Sequence, residues 1–313
     1  MWSLSPDLLV LALALVLDLA GREPPSALHP TVWMGRTVDA AQKFAPRTGA
    51  AGIIAGAILA LAVTGLWTAA AYFAAEGLRS AHGLAYILAG AVLLKTTFSV
   101  KLLHQVAAQV RDLLIRGEIG EVRSRMSSLV SRDPSQLTSE QATAATVESV
   151  SENMVDSFIG PWLAFALFGL PGAVAYRAVS TLDSMIGYRG EYEYLGKASA
   201  RLDDLLNLVP SRLTGLMLVL ASMVMPGQSP RGAWRIMWRD HGRTESPNAG
   251  WPMSSMAGAL GVELEKAGHY RLGDHTRPLA ASDITQAVRS MYLVAASGFL
   301  VAFGIILLKT GLI

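Results

Sequence analysis

The sequence predicts an all-α polytopic membrane protein: about four secure transmembrane helices, two further re-entrant or partly inserted helices, and helical cytoplasmic connections that form a site. Three observations predict it. Of the 313 residues 52% are hydrophobic and 16% charged, against about 25% charged in ordinary soluble domains. Residues 49–75 carry no charge and meet the roughly 20 apolar residues a helix needs to cross hydrocarbon. No stretch of useful length alternates with a period of two, so strands have no signal.

The elements follow in order, within a single membrane domain over 1–313. The first apolar segment, about 4–20, contains the run Leu8 to Leu17. It lacks a basic region before it and is followed by Asp18, Gly21, Arg22 and Glu23 instead of a small-residue cleavage site, so it reads as a retained membrane helix and not a signal peptide. His29-Pro30 and Gly35-Arg36 then read as a compact loop. Segment 49–75 is a secure span. Segment 83–103 is apolar up to Lys95, and Lys95 and Lys101 are expected to snorkel toward the interface. Residues 104–130 show helical spacing broken at Gly117 and Gly120, and Arg132-Asp133-Pro134-Ser135 is a turn. Thr138 with Gln141 three later forms a capping box that opens a helix through about Phe158. Segment 158–176 is uncharged until its end but interrupted by Pro161 and by Pro171-Gly172. Segment 213–226 is short, a length typical of a buried or re-entrant helix. Met253 to Lys266 reads as a helix, and Ser282 or Asp283 as the cap of a long one that becomes the last span, 290–308.

Chain parity links these elements to function. If all six apolar segments cross, loop 177–205 falls on the opposite side from loops 21–48, 104–154 and 227–289. If segments 158–176 and 213–226 are re-entrant, every polar loop shares one face. Arginines crowd these loops (Arg111, Arg116, Arg123, Arg125, Arg132; Arg231, Arg235, Arg239, Arg243) while the 76–82 turn holds only Arg79. The positive-inside rule then puts the polar face in the cytoplasm and both termini outside.

Several chemistries are excluded. The chain has no cysteine, hence no disulfide, thiolate metal site or cysteine nucleophile. A net charge of +2 without basic, aromatic-interleaved runs gives no nucleic-acid partner. There is no Gly-rich phosphate loop, dinucleotide fingerprint or H-E-x-x-H. What remains is a set of carboxylates, arginines and asparagines. Glu148, Glu152 and Asp156 stand at i, i+4 and i+8, one helical face, without a basic residue at neutralising spacing. A divalent cation held by oxygen ligands, Mg²⁺ with phosphates completing the shell, is the natural compensation; a solvated acidic stripe is the plain alternative. Arg189 and Arg201 suit bidentate clamping of phosphate or carboxylate, and Asp183, Asp203 and Asp204 suit a second metal or the orientation of those arginines; mutual ion pairing is the alternative. Asn248-Ala249-Gly250-Trp251-Pro252 leads into a helix whose small-residue face permits close approach of a bulky ligand or, more commonly, another helix.

These phrases resemble one family in order along nearly the whole chain. Arg132-Asp133-Pro134-Ser135, Val147-Glu148-Ser149-Val150 with Glu152-Asn153 and Asp156, Pro171-Gly172-Ala173, Thr181-Leu182-Asp183-Ser184-Met185 with Gly187-Tyr188-Arg189, Ala200-Arg201-Leu202-Asp203-Asp204 and Asn248-Ala249-Gly250-Trp251-Pro252 are similar to the CobD/CbiB family, as are Asp18, Gly21, Pro24, His29-Pro30 and Gly35-Arg36. Ser180, Ser151 and Met154 depart from its usual asparagine, alanine and threonine, whereas the charged positions are kept.

The resemblance implies a multi-pass enzyme of cobalamin biosynthesis in the cell (inner) membrane, its site facing the cytoplasm. The implied activity is that of an adenosylcobinamide-phosphate synthase, an acid–amine ligase that joins adenosylcobyric acid to (R)-1-aminopropan-2-ol phosphate, or to aminopropanol, with ATP and Mg²⁺. The corrinoid is substrate, not cofactor, and the expected partners are these substrates, membrane lipid and other membrane-bound enzymes of cobalamin assembly. On this reading Glu148, Glu152 and Asp183 are catalytic, and Glu148, Glu152, Asp156, Asp203 and Asp204 are metal ligands. Arg36, Arg132, Arg189 and Arg201 hold phosphate, and His29, Asn153, Tyr188, Asn248 and Trp251 hold substrate. The alternatives are a non-catalytic AmpE-like membrane sensor and a corrinoid or cation transporter.

Overall fold

The computed structural model describes residues 5–21, 23–126, 136–188 and 190–311. In chain order its helices are α1 (Pro6–Ala20), α2 (Pro30–Gln42), α3 (Gly49–Ala81), α4 (Gly83–Lys95), α5 (Val100–Ile115), α6 (Ile119–Met126), α7 (Ser139–Met154), α8 (Gly160–Ile186), α9 (Lys197–Leu206), α10 (Leu208–Val224), α11 (Pro230–Asp240), α12 (Gly250–Leu260) and α13 (Ala281–Gly311). A two-stranded antiparallel hairpin, β1 (Glu263–Lys266) with β2 (Tyr270–Gly273), pairs Glu263 with Gly273 and Lys266 with Tyr270.

By length and hydropathy four helical runs suffice to cross a membrane: Gly49–Ala81, Gly83–Ile115, Ser139–Ile186 and Ala281–Gly311; Lys197–Leu206 with Leu208–Val224 passes only as a joined pair. The multi-pass all-α class therefore holds, but the set of long helices differs from expectation. α1 has 15 residues, about 22 Å of helix at ~1.5 Å per residue, short of a ~30 Å core.

The Ser139–Ile186 run is not a straight rod. Gly169 breaks α8 at φ 69° and ψ −160°, a conformation open to glycine, and Pro171 just beyond it has no N–H to restore the ladder. The chain turns back on itself there. A Cβ on Gly160 would fall 2.2 Å from Cζ of Tyr176, although sixteen residues of straight helix would separate the two by about 24 Å. Residues 160–186 are thus a helical hairpin with its tip at Gly169. Lys309 Nζ reaches the tip, 2.7 Å from the Leu167 carbonyl and 3.1 Å from that of Ala166, and donates to oxygens that the turn leaves without an intrahelical partner.

The chain divides into two compact units. The first comprises residues through Ser99, Asp156–Asn207 and the chain from Phe299 on. In it α1 packs on α4, and α3 on α8 and α9, around Val38, Leu59, Val63, Leu182, Ile186 and Leu195. The second comprises Val100–Val155 and Leu208–Gly298. There α11 and α12 run antiparallel in close contact at Gly232 and Gly258; α12 is buried along its whole length, and α10 packs on both.

Several local expectations change. The predicted loop at His29–Arg36 is helix α2: Pro30 occupies its first turn and His29 caps it, Nδ1 accepting from Thr31 N–H at 3.3 Å. Lys95 does not snorkel. It is 5% exposed, its ammonium 2.9 Å from Asp18 and 2.6 Å from Glu23, because two carboxylates inside the first unit offer more than the interface does. The helix expected over Met253–Lys266 ends at Leu260, where Gly261 takes the left-handed conformation at φ 64°, and 263–266 becomes β1. The Thr138–Gln141 capping box forms as expected, but α7 gives way at Val155 to a π turn over Val155–Ile159. α13 starts at Ala281, so Asp283 lies inside the first turn and reaches back, 2.9 Å from the Ala280 N–H.

Candidate functional site

The densest polar cluster lies wholly in the first unit. Its floor is the hairpin: because Gly160 has no side chain, the ring of Tyr176 lies against it, and the Tyr176 hydroxyl comes 2.7 Å from Asp156 Oδ1 and 2.6 Å from Asn207 Oδ1, giving its single hydrogen to one of them at a time. Asn207, which closes α9, donates through Nδ2 to Asp156 at 2.9 Å and to Asp203 Oδ2 at 2.9 Å. Asp203 and Asp156 are thereby tied through one amide. Asp183, on the last turn of α8, interacts electrostatically with Asp156 and Asp204, and Asp203 with Asp156, Asp183 and Asp204. Aspartates brought together in this way repel unless a cation joins them or one of them holds a proton.

One cation is already in place. Arg177, the residue after Tyr176, interacts with Asp156 and Glu23, yet its Nε is buried without a hydrogen-bond partner. Glu23 leads to a second group of charges. Its carboxylate accepts from Lys95 and stands 3.5 Å from His29 Nε2, while Lys95 also binds Asp18, which takes the Ser99 hydroxyl at 3.0 Å. Burial pushes the Glu23 carboxyl up, but hydrogen bonds from His29, Lys95 and Ser99 outweigh it and hold it down at about 2.

Of the residues expected at the site, Asp156, Asp183, Asp203 and Asp204 are drawn together, and His29 joins the Glu23 group. Arg36 is exposed on α2 and Tyr188 is exposed after α8; Arg201 is exposed on α9, 3.8 Å from Asp204. Arg132 and Arg189 lie outside the described residues. Glu148, Glu152, Asn153, Asn248 and Trp251 belong to the second unit. The expected common face of Glu148, Glu152 and Asp156 assumes an unbroken α-helix, and the π turn that carries Asp156 changes the residue count per turn; Glu148 is buried and Glu152 exposed. Asn153 donates to its own helix at Ser149 O, 2.8 Å away. Asn248 Oδ1 lies 3.3 Å from the Ser211 hydroxyl. Trp251 packs against the Arg212 guanidinium, 4.8 Å from its ring, and against the His241 ring, 4.0 Å away.

Tyr176, Arg177, Asn207, Glu23 and Lys95 were not singled out from sequence. The available signal was position: an arginine or lysine bordering an apolar run either snorkels or faces the bundle interior, and the second case marks a functional candidate. Among the described residues no three Asp, Glu or His side chains converge at metal-ligand spacing. The donor set still fits Mg²⁺, which binds through one or two carboxylates when substrate phosphates complete its shell. The cluster can therefore hold a divalent ion between carboxylates, present a guanidinium to an anion and accept a proton at a carboxylate.

The CobD/CbiB protein family model matches residues 11–291 of the chain. Three similar proteins bear the name "Cobalamin biosynthesis protein CobD". That of Dehalococcoides mccartyi is 43% identical over 96% of this chain and 97% of its own length. That of Geobacter metallireducens is 40% identical over 90% and 92%, and that of Klebsiella pneumoniae 36% identical over 95% and 97%. No solved structure matches.

Proposed function

The chain belongs to the CobD/CbiB family, a family of cobalamin biosynthesis, and on that premise we propose that it is a ligase that joins adenosylcobyric acid to (R)-1-aminopropan-2-ol phosphate, giving adenosylcobinamide phosphate at the expense of ATP. The observation that supports this reading best is the cluster in the first unit, where Asp183 and Asp203 each lie in electrostatic reach of Asp156 and Asp204, and Asp156 in reach of an arginine whose Nε is buried and unpartnered. ATP-dependent amide formation from a carboxylate can use each part of that combination. The acid is a poor electrophile until ATP activates it, the phosphates need positive charge in transfer, and the attacking amine must lose a proton.

In the proposed arrangement Asp203 and Asp204 would hold Mg²⁺, which would supply charge neutralisation to the phosphates. Arg177 offers a fixed guanidinium to a phosphate, and Asp183 accepts the amine's proton. Tyr176 and Asn207 position Asp156 and Asp203 through the hydrogen bonds described. Glu148 and Glu152 are kept as candidates of the second unit. The site faces the cytoplasm of a cell membrane, and the route of the corrinoid leads to and from other membrane-bound enzymes of cobalamin assembly.

The test is an assay of purified protein in detergent with ATP, Mg²⁺, cobyric acid and aminopropanol phosphate, followed by detection of the amide product. Wild type makes product only when all four are present. Asp183→Asn and Asp203→Asn lower turnover by about 10²–10⁴-fold, the range for a positioned acid–base or metal-binding group, with Glu152→Ala as the comparison arm. Near-normal turnover in both aspartate variants would overturn the site. No product from folded wild type would overturn the reaction, and product formed without a membrane gradient excludes a pure transporter or sensor.

A further inference from the structure

The second unit carries a groove remote in character from the charged cluster. It opens between α10 and α11, which are joined by a turn at Met225–Ser229. It encloses about 480 Å³ and is lined by Leu216, Val219, Leu220, Met223, Pro230 and Trp234, with Arg231 as the only charged residue. That volume falls within the roughly 300–1,000 Å³ of small-ligand sites.

The surroundings point to a lipid surface. α11 has 11 residues, far too few to span a membrane. It buries Ala233, Ile236 and Met237 and turns Trp234 and Trp238 outward, 48% and 51% exposed. Arg231, Trp234 and Trp238 share that outer face at i, i+3 and i+7. A short helix with tryptophan and arginine outward lies in the interface plane, where tryptophan concentrates. The neighbouring cations are engaged: Arg235 and Arg239 both bind Asp274 at 2.6 Å. Arg231, exposed, makes no hydrogen bond or ion pair among the described residues.

We propose that this groove binds one anionic phospholipid, an acyl chain lying along Leu216, Leu220 and Met223 and the headgroup phosphate meeting Arg231. Two features favour lipid over a partner helix or a second copy of the chain. Helix interfaces in membranes favour glycine, alanine and serine for close approach, and none of these lines the groove. A single unpaired cation at the mouth of an apolar trough complements a single phosphate above an acyl chain. The inference stands apart from the ligation reading and uses none of its residues.

Native mass spectrometry of the full chain, released from micelles containing phosphatidylglycerol or phosphatidylcholine with the same acyl chains, tests it. Wild type and Arg231→Lys retain phosphatidylglycerol about fivefold better than phosphatidylcholine, the preference one basic residue near an anionic surface gives. Arg231→Gln, at an exposed position that leaves the fold intact, brings the preference close to one. Leu220→Trp, which fills the trough, reduces retention of both lipids while the helical circular dichroism is unchanged. Excess inorganic phosphate leaves the lipid bound. Equal retention of the two lipids by wild type, an unchanged preference in Arg231→Gln, displacement by phosphate alone, or a dimer that Leu220→Trp dissociates would each overturn the proposal.

Discussion

At the scale of single residues the first unit depends on charges that neutralise one another out of water. Lys95, with Asp18 and Glu23 on its ammonium, is the clearest case. Lys95→Ala leaves the Asp18 carboxylate buried at 1% exposure without its ammonium counter-charge, and is expected to cost ~3–5 kcal/mol, read as a lowered thermal midpoint in detergent; Lys95→Ala combined with Asp18→Asn recovers part of the loss. Glu23 sets an acid limit. Its folded carboxyl is held at about 2, below the ordinary 4.5, so its stabilisation is complete above pH 4.5 and disappears as the pH falls through about 2. Acid unfolding followed by circular dichroism should show Glu23→Gln losing less stability than wild type across that window. Equal slopes for the two proteins would contradict the assignment. These pairs were not legible in the sequence. Lys95 reads there as an interfacial lysine because its carboxylate partners sit on a different stretch of chain, and Arg177 reads as the border of a loop because the apolar run ends one residue earlier.

At the scale of elements the decisive feature is the hairpin in α8. Its interruption was visible as Pro171-Gly172 inside an uncharged run, but the turn itself is at Gly169, whose positive φ no pattern of hydrophobicity reveals. Spin labels on Ser157→Cys and Thr181→Cys, introduced into this cysteine-free chain, distinguish the arrangements. A straight helix separates the two by about 36 Å, whereas the hairpin brings them well under 20 Å by the same rise. Gly160→Leu drives a side chain into the Tyr176 ring, 2.2 Å from the position of a Cβ. It is expected to destabilise by ~1–3 kcal/mol as an overpacked contact and, by displacing Tyr176 from Asp156, to lower turnover in the proposed ligation more than substrate affinity. Capping was read more reliably: Thr138 and Gln141 form their reciprocal bonds because a cap is fixed by four adjacent residues. The helix expected through Lys266 failed for a related reason, since one left-handed glycine at 261 outweighed five residues of acceptable helix propensity.

At the scale of the whole molecule the hairpin returns the chain to the side from which it enters, so Asp156 before it and Asp183, Asp203 and Asp204 after it remain together in one unit. Turnover in the proposed ligation is accordingly expected to persist in proteoliposomes when a protonophore collapses the membrane potential; dependence on the gradient would favour transport. The sequence by itself determined the membrane class, the helical content, the family phrases and most of the residue types the chemistry requires. It could do so because apolar run length, caps and local motifs are properties of neighbouring residues. Only the tertiary structure decided that the re-entrant segment expected at 158–176 turns at Gly169, that Lys95 and Arg177 serve carboxylates of the first unit, and that Asp156 joins Asp203 through Asn207 and Tyr176. Those outcomes rest on contacts between residues far apart in the chain, where desolvation and the partner reached across space, rather than local spacing, set the lowest free energy.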